Sequence, residues 1–272
     1  MLFKEIITGD GTITLHSAEY DEAMHTVSGA FEEALCRHVF PSKILERRDE
    51  HLRALDIGFG LGYNILALIS EFLRKKSKQL LSVITLEKDL SHLTLMKRIT
   101  FGDGRDRLYT QIKGAAEGGD LSLEGVSLQL IMGDAREIIR EMDAIGFHAV
   151  FHDPYSPSKN PELWTLDFFR ELKRVLNSEA ILTTYSSAAQ VRMALLQAGY
   201  RVGNGPIVGG KRGTLAALSD DIQTLTEDDI DNLGENSQSI PYRDVHLRDS
   251  REVIRRWRAV AMKKNRRGND PS

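Results

Sequence analysis

From residue 52 onward, short apolar runs alternate with stretches in which apolar residues recur every three or four positions. Leu52 to Ile57, Leu80 to Leu86, Val126 to Met132, Phe147 to His152 and Ala180 to Tyr185 have the length and composition of buried strands. Between the first two, Ile65, Leu66, Leu68, Ile69 and Phe72 make a helical stripe. Further helices are expected over Leu90 to Ile99, Ala135 to Met142, Pro161 to Leu176, and Ala188 to Ala198 with Gly199 as its stop. Gly102 to Gly119 is polar and glycine-rich and reads as an exposed insertion. Two last strands, near Arg201 and from Thr214 to Leu218, predict a closing hairpin. This alternation predicts an α/β fold with a seven-stranded, doubly wound, mostly parallel sheet. Ahead of it, Phe3 to His16 reads as a hairpin turning at Gly9-Asp10-Gly11. A helix follows through Phe31, Leu35 and Val39, capped by Ser28 and stopping near Pro41. The chain thus divides into an N-terminal hairpin and helix (1–50), the core (51–218) and an acidic linker with a basic tail (219–272).

Composition narrows the function classes. With 272 residues, 41% of them hydrophobic, the chain can bury a substantial core. The net charge of -3 creates no overall field for nucleic acid, so such a partner needs a local basic patch. Residues 219–235 are acidic with no basic residue, whereas 243–267 hold ten Arg or Lys. There Val253, Ile254, Trp257, Val260 and Ala261 line one face of an expected helix. The lone Cys36, an N-terminus without the pattern of a secretory signal, and the lack of roughly 20 consecutive apolar residues predict a soluble cytoplasmic protein. His148 and His152 are four apart on a strand, about 13 Å. They are too distant to share a metal ion, and none is expected; one is read as packed and the other as lying near the pocket.

In a doubly wound sheet the turn after the first strand is where a nucleotide-like ligand lies. Here it reads Asp56-Ile57-Gly58-Phe59-Gly60-Leu61-Gly62. A dinucleotide fingerprint needs Gly-x-Gly-x-x-Gly, but position 63 is Tyr. The spacing is Gly-x-Gly-x-Gly, with carboxylates at later strand ends: Glu87 after the second strand and Asp134 after the third. S-adenosylmethionine (SAM) has no phosphate, but it has a sulfonium cation, an amino-acid end, a ribose diol and an adenine. Glu87 is placed for the ribose hydroxyls and Asp134 for the adenine amino group, although each alone also suits a helix cap. Together they predict a Rossmann-like, class I SAM-dependent methyltransferase.

The fourth strand ends in His152-Asp153-Pro154-Tyr155-Ser156-Pro157. A carboxylate there can accept hydrogen bonds from an amine, aim its lone pair and stabilise the developing ammonium. Asp153 is therefore the candidate catalytic residue, and Tyr155 can stack on a flat substrate. The motif resembles the Asp/Asn-Pro-Pro-Tyr of amino-group methyltransferases with one proline fewer. The bland alternative is a stiffened turn capped by Asp153.

Pro157-Ser158-Lys159-Asn160-Pro161-Glu162-Leu163-Trp164-Thr165 resembles the Ser/Ala-Pro-x-Lys-Asn-Pro-Glu-x-Trp stretch of the MnmC methyltransferase-domain family. Asp10 to Leu15, Glu19-Tyr20, His25-Thr26-Val27-Ser28-Gly29-Ala30 and Gly58 to Asn64 are similar to that family's earlier blocks. Thr184-Tyr185-Ser186-Ser187-Ala188, Val191-Arg192 and Gly210-Lys211-Arg212 are similar to its later ones. Pro154-Tyr155 departs from the expected Gly/Ala-Phe, and Leu61 stands where Thr is expected. The resemblance implies methylation of the amine of 5-aminomethyl-(2-thio)uridine at position 34 of tRNA, giving 5-methylaminomethyl-(2-thio)uridine. It implies a donor site of His25, Ser28, Asp56, Gly58, Phe59, Gly60, Gly62, Asn64, Glu87, Asp134, Ala135 and Asp153. The implied substrate side is Tyr155, Lys159, Asn160, Trp164, Arg192, Lys211 and Arg212. Fifty-four residues follow Leu218, too few for the FAD-dependent oxidase domain of bifunctional members. A stand-alone type is therefore expected, with another enzyme supplying the aminomethyl group.

Other readings stay open at this stage. The basic tail can extend a tRNA patch or form a solvated helix face anchored by Trp257. Lys211-Arg212 can be a hairpin turn, and Trp164 a core residue. An aminopropyltransferase, a methyltransferase for another amine, and a catalytically inactive RNA-binding protein share parts of the pattern.

Overall fold

The computed structural model describes residues 3–25, 29–119, 121 and 123–268. Strands β1 (Phe3–Ile7), β2 (Ile13–Ser17) and β3 (Glu22–Ala23) form a small antiparallel sheet. Asp10 closes its first turn by accepting from the Thr8 and Thr12 hydroxyls, each at 2.7 Å. Ser28, expected to cap the next helix, lies outside the described residues. That helix, α1 (Ala30–Ala34), passes directly into a π-helical turn at Leu35–Val39.

The core strands are β4 (His51–Ile57), β5 (Leu80–Glu87), β6 (Val126–Met132), β7 (Phe147–His152), β8 (Leu176–Thr184), β9 (Arg201–Val208) and β10 (Lys211–Ala217). They lie in the order β6-β5-β4-β7-β8-β10-β9. All neighbours are parallel except β10, which runs antiparallel to both β8 and β9. Every residue of β7 is buried, because helices cover both faces and no side needs to be polar. The chain leaves β4 toward β5 and β6, then returns to β7 on the other side. The carboxyl end of β4 is thus the switch point, where a crevice opens.

Helix α2 (Tyr63–Arg74) buries the predicted stripe of Ile65, Leu66, Leu68, Ile69 and Phe72. The next helix, α3 (Leu93–Met96), is shorter than the one expected over Leu90 to Ile99. The supposed insertion from Gly102 to Gly119 contains α4 (Arg105–Ala116), which packs on α2. Leu108, Tyr109, Ile112, Ala115 and Ala116 are buried at helical spacing, and the surrounding glycines and charges had masked that stripe. Helix α5 (Ala135–Glu141) follows β6. The helix expected over Pro161 to Leu176 is interrupted at Thr165, whose extended backbone ends a 3-10 turn, Pro161–Trp164. The Thr165 hydroxyl then caps α6 (Leu166–Lys173) by accepting from the Phe168 amide at 3.1 Å. Helix α7 (Ala189–Gln197) covers the same face.

The segment after β10 is more structured than a linker and tail. Its acidic part forms α8 (Glu227–Glu235), started by a Thr226–Asp229 capping box. The basic part forms α9 (Arg251–Gly268). The expected apolar seam of α9 is mostly not a seam. Ile254 is fully buried, but Val253, Trp257 and Val260 are 49%, 44% and 47% exposed. Attachment comes instead from arginines: Arg243 pairs with Asp167 at 2.8 Å, and Arg258 donates to the Ile240 carbonyl at 2.6 Å. Trp257 carries the Arg243 guanidinium over its ring, 5.9 Å from the centroid, and does not anchor the helix in the core. No described helix is long and apolar enough to cross a membrane.

Candidate active site

The glycine turn after β4 is positioned by hydrogen bonds on every side. Gly58 N–H donates to the Leu86 carbonyl at 3.0 Å, and Gly62 N–H to the Phe59 carbonyl at 2.7 Å. Gly58 has φ 99°, and a Cβ there would lie 2.8 Å from the Asp153 carbonyl oxygen. Glycine is required both by the left-handed backbone and by the close approach. The Tyr109 hydroxyl from α4 donates to the Leu61 carbonyl at 2.9 Å, and the His92 ring nitrogen lies 2.6 Å from the Gly60 carbonyl. Phe59 is buried beneath the turn, against Gly62.

Above the turn is a cavity of about 830 Å³, within the range of nucleoside-sized ligand sites. Among the described residues, eight carboxylates and four Lys or Arg line it, a balance that suits a cationic ligand. Glu87 is clamped at its edge. One carboxylate oxygen accepts from Gly60 N–H at 3.1 Å, the other from the amides of Lys88 and Asp89 at 2.7 and 3.1 Å. Asp134 caps α5 and is gripped by Arg136 through contacts at 2.8 and 3.0 Å. Burial opposes ionisation of Asp134, but the Arg136 guanidinium outweighs it and brings the pKa down to about 2. Arg136 in turn donates to the fully buried Asp244 at 2.7 Å, tying this end of the cavity to the C-terminal segment. Ala135 also lines the cavity.

Asp153 emerges from the end of β7 beside Gly58. The Asn64 side-chain amide bridges two carboxylates, donating to Asp153 Oδ2 at 3.1 Å and to Asp56 Oδ1 at 3.2 Å. His38 Nε2 lies 3.7 Å from Asp153 Oδ1. Burial works against the Asp153 charge, yet His38, His25 and Asn64 together hold its carboxyl below the usual range. Asp56 lies underneath, fully buried. Desolvation pushes it up to about 8 despite hydrogen bonds from Thr85 and Asn64. One ionised carboxylate is thus presented to the cavity, and a second supports its clamp.

Comparison with known proteins places this geometry. A family described as S-adenosyl-L-methionine-dependent methyltransferase matches residues 101–220. An uncharacterized protein of Methanocaldococcus jannaschii is 30% identical over 257 residues, 91% of this chain and 69% of that protein. The tRNA 5-methylaminomethyl-2-thiouridine biosynthesis bifunctional protein MnmC of Burkholderia vietnamiensis is 31% identical over 214 residues, 73% of this chain and 32% of its own length. The chain therefore spans about a third of such bifunctional relatives. The crystal structure of MnmC2 from Aquifex aeolicus superposes with a TM-score of 0.87 at 31% identity, covering 96% of this chain and 85% of that one. The chain belongs to the MnmC methyltransferase family. It is a SAM-dependent methyltransferase on the class I Rossmann-like fold.

The MnmC-type cavity brings together many of the residues singled out in the sequence. His25, Gly58, Gly60, Glu87, Asp134, Ala135, Asp153, Tyr155, Asn160 and Lys211 all line it. Asp56, Phe59, Gly62 and Asn64 form its support. Asn160 donates to Glu162 at 3.0 Å. Tyr155 lies flat against Tyr20, with ring centroids 4.0 Å apart, so one face is already covered.

Several expected substrate contacts lie elsewhere. Trp164 is fully buried. Its indole N–H donates to the Tyr155 carbonyl at 2.8 Å, and its ring packs edge-on to His152, so it supports the loop from within. Arg192 is turned into the closing hairpin, donating to Thr214 at 3.1 Å and Asn204 at 3.0 Å. Lys159 pairs with Asp21 at 3.3 Å, outside the cavity wall. Arg212 is exposed on β10 and also outside that wall. Neither strand histidine lies at the pocket. His152 is packed among Trp164, Phe168 and Phe169, and burial brings its pKa down to about 3. His148 faces Asp49 at 3.6 Å. Among the described residues, no three His, Cys, Asp or Glu side chains converge to hold a metal ion.

The sequence did not mark the residues of the opposite wall as site residues, although Tyr20 and Tyr185 stand in the blocks similar to the family's. Glu33 of α1 and Arg37 of the π-helical turn, paired at 3.0 Å, line the cavity, as do Tyr20, Glu22, Tyr185 and Arg251. Arg251 lies over the Tyr20 ring, 4.7 Å from its centroid, and pairs with Glu162 at 3.3 Å. The available signal was faint: Glu33 and Arg37 have i, i+4 spacing, which ordinarily marks an exposed ion pair.

Proposed function

We propose that this protein methylates the aminomethyl nitrogen of 5-aminomethyl-(2-thio)uridine at the wobble position of tRNA, giving 5-methylaminomethyl-(2-thio)uridine. The observation that carries this reading is the Asp153 carboxylate, clamped by Asn64 and presented at the end of β7 beside the glycine turn. The names of the bifunctional MnmC relatives support the choice of tRNA and of this modified base. SAM, when bound, supplies an electrophilic methyl group.

The residues divide the work. The close approach at Gly58 and the clamped Glu87 fit a ligand with a ribose diol. Asp134 and Ala135 flank the place of its adenine. Asp153 accepts hydrogen bonds from the amine, aims its lone pair and stabilises the ammonium that forms. Tyr155, backed by Tyr20, offers a stacking face for an extruded base. Lys211 and Arg251 stand at the rim, and Arg256, Lys263 and Lys264 on α9 extend positive charge toward the RNA backbone.

The test is transfer from methyl-labelled SAM to bulk tRNA that lacks the final methyl group. Label is expected in the 5-methylaminomethyl nucleoside; label found only in protein or small amines would refute the substrate. A preference for decarboxylated SAM would instead make the protein an aminopropyltransferase. Asp153→Ala is expected to lower turnover by roughly a thousandfold while SAM still binds.

A further inference from the structure

His38 belongs to the π-helical turn Leu35–Val39, where Phe40 N–H reaches back five residues to the Leu35 carbonyl at 3.0 Å. Such turns reset a helix by one residue and are frequent at functional sites. Here the turn carries His38 beneath the sheet ends, where it is 1% exposed. Nδ1 lies 2.8 Å from the Thr183 hydroxyl on β8, and Nε2 lies 3.7 Å from Asp153 Oδ1. Nε2 is otherwise buried without a hydrogen-bond partner.

The proton positions follow from this placement. The Thr183 hydroxyl has one proton and two acceptors within reach, Nδ1 and the Val150 carbonyl at 3.3 Å. If it donates to Nδ1, the ring's own proton is on Nε2. If it donates to Val150, Nδ1 must carry a proton, and a bare Nε2 would turn its lone pair on a carboxylate. That repulsion is removed only when Nε2 is protonated too. In both favourable arrangements an N–H faces Asp153.

The other groups around the pair are His25, His152, Asp56, Glu33, Arg37 and Tyr185. Burial disfavours the charged forms of His25 and His152 and pushes the Asp56 carboxyl up. Arg37 is paired with Glu33. His38 is therefore the group placed to hold the Asp153 oxygen that Asn64 does not hold.

We propose that His38 is a positioning residue for methyl transfer, whose Nε2–H fixes the Asp153 carboxylate toward the acceptor amine. The inference rests on the reading of Asp153 as the group that receives that amine. No proton passes between His38 and Asp153; the imidazole acts by orientation and by favouring the charged carboxylate.

The experiment compares His38→Gln, which can still offer an N–H, with His38→Leu, which cannot. His38→Leu is expected to lower kcat about 100-fold, with SAM affinity and KM for tRNA changed by less than about threefold. Its kcat profile should lose activity at a higher pH on the acid side, because Asp153 no longer has the neighbour that holds its carboxyl down. His38→Gln should recover most of kcat. The inference is overturned if His38→Leu keeps kcat and profile. It is also overturned if both variants lose activity in step with melting temperature, which would mark a packing residue. Asp153→Asn, measured alongside, separates the two ideas. Full turnover there removes the reading of Asp153 and this inference together; an inactive Asp153→Asn beside a normal His38→Leu removes the inference alone.

Discussion

The two ends of the cavity are built in different ways. The end proposed to hold the donor, with Gly58, Glu87 and Asp134, comes from the carboxyl ends of β4, β5 and β6 and the turns that follow them. Its residues are held within and between these adjacent strand ends: Glu87 by the amides of Lys88 and Asp89 and by Gly60 N–H, Gly58 by the Leu86 carbonyl. The end proposed for the acceptor takes Tyr20 from the N-terminal sheet, Arg37 from the π-helical turn after α1, Tyr155 from the β7 loop and Arg251 from the C-terminal helix. These residues meet only when distant segments pack. A fold can therefore keep one donor-binding end while attached elements reshape the acceptor end.

The largest effect is expected where the donor end does reach a distant segment. Arg136→Met leaves the buried Asp244 without its cation and loosens Asp134. A loss of about 3 kcal/mol is expected in urea unfolding, with weakened SAM binding. The pH dependence has a definite sign. The folded pKa of Asp134 is depressed from 3.8 to about 2. Its stabilisation is therefore present above pH 3.8 and disappears as pH falls through about 2. It amounts to about 2 kcal/mol at neutral pH, and Arg136→Met should lack that acid-sensitive share.

Gly58→Ala should follow, because its Cβ would collide with the Asp153 carbonyl in a left-handed backbone. About 2 kcal/mol of stability is expected to go, and calorimetry should show SAM binding weakened about 100-fold. Normal SAM affinity in this variant would break the picture of a donor end set by close backbone approach.

Tyr20→Ala tests the opposite end. It removes the ring stacked on Tyr155, a contact on the order of 1 kcal/mol, and should raise KM for tRNA about tenfold. Unchanged SAM affinity is expected; a parallel loss of both would show that the two ends are not separable.

The smallest effect sharpens the rim. Lys211→Ala should weaken tRNA binding by about threefold and reduce the salt dependence by about one unit of slope. Arg192→Ala should instead lower the melting temperature and leave the slope alone, since Arg192 is bonded into the β9–β10 hairpin.

How much was legible follows the same division. The core strands, the glycine turn and the strand-end carboxylates were readable, because each is encoded within a few consecutive residues. Helix α4 was missed although Leu108, Ile112 and Ala115 keep helical spacing, since flanking glycines and charges masked the stripe. Trp164 and Arg192 stand in distinctive motifs, but motif membership does not say which way a side chain points. Their burial and hydrogen bonds show them supporting the loop and the hairpin.

The sequence by itself determined a doubly wound sheet, a glycine turn at its switch point and a carboxylate at the end of β7, since periodicity and glycine requirements act locally along the chain. Only the tertiary structure decided what surrounds that carboxylate. Asn64 donates to Asp153 and His38 faces it, Tyr20 covers one face of Tyr155 with Arg251 over Tyr20 in turn, and Arg136 ties Asp134 to Asp244. Those contacts join residues far apart in sequence and depend on how the first helix and the C-terminal helix dock on the sheet. No local pattern of apolar and polar positions specifies such docking.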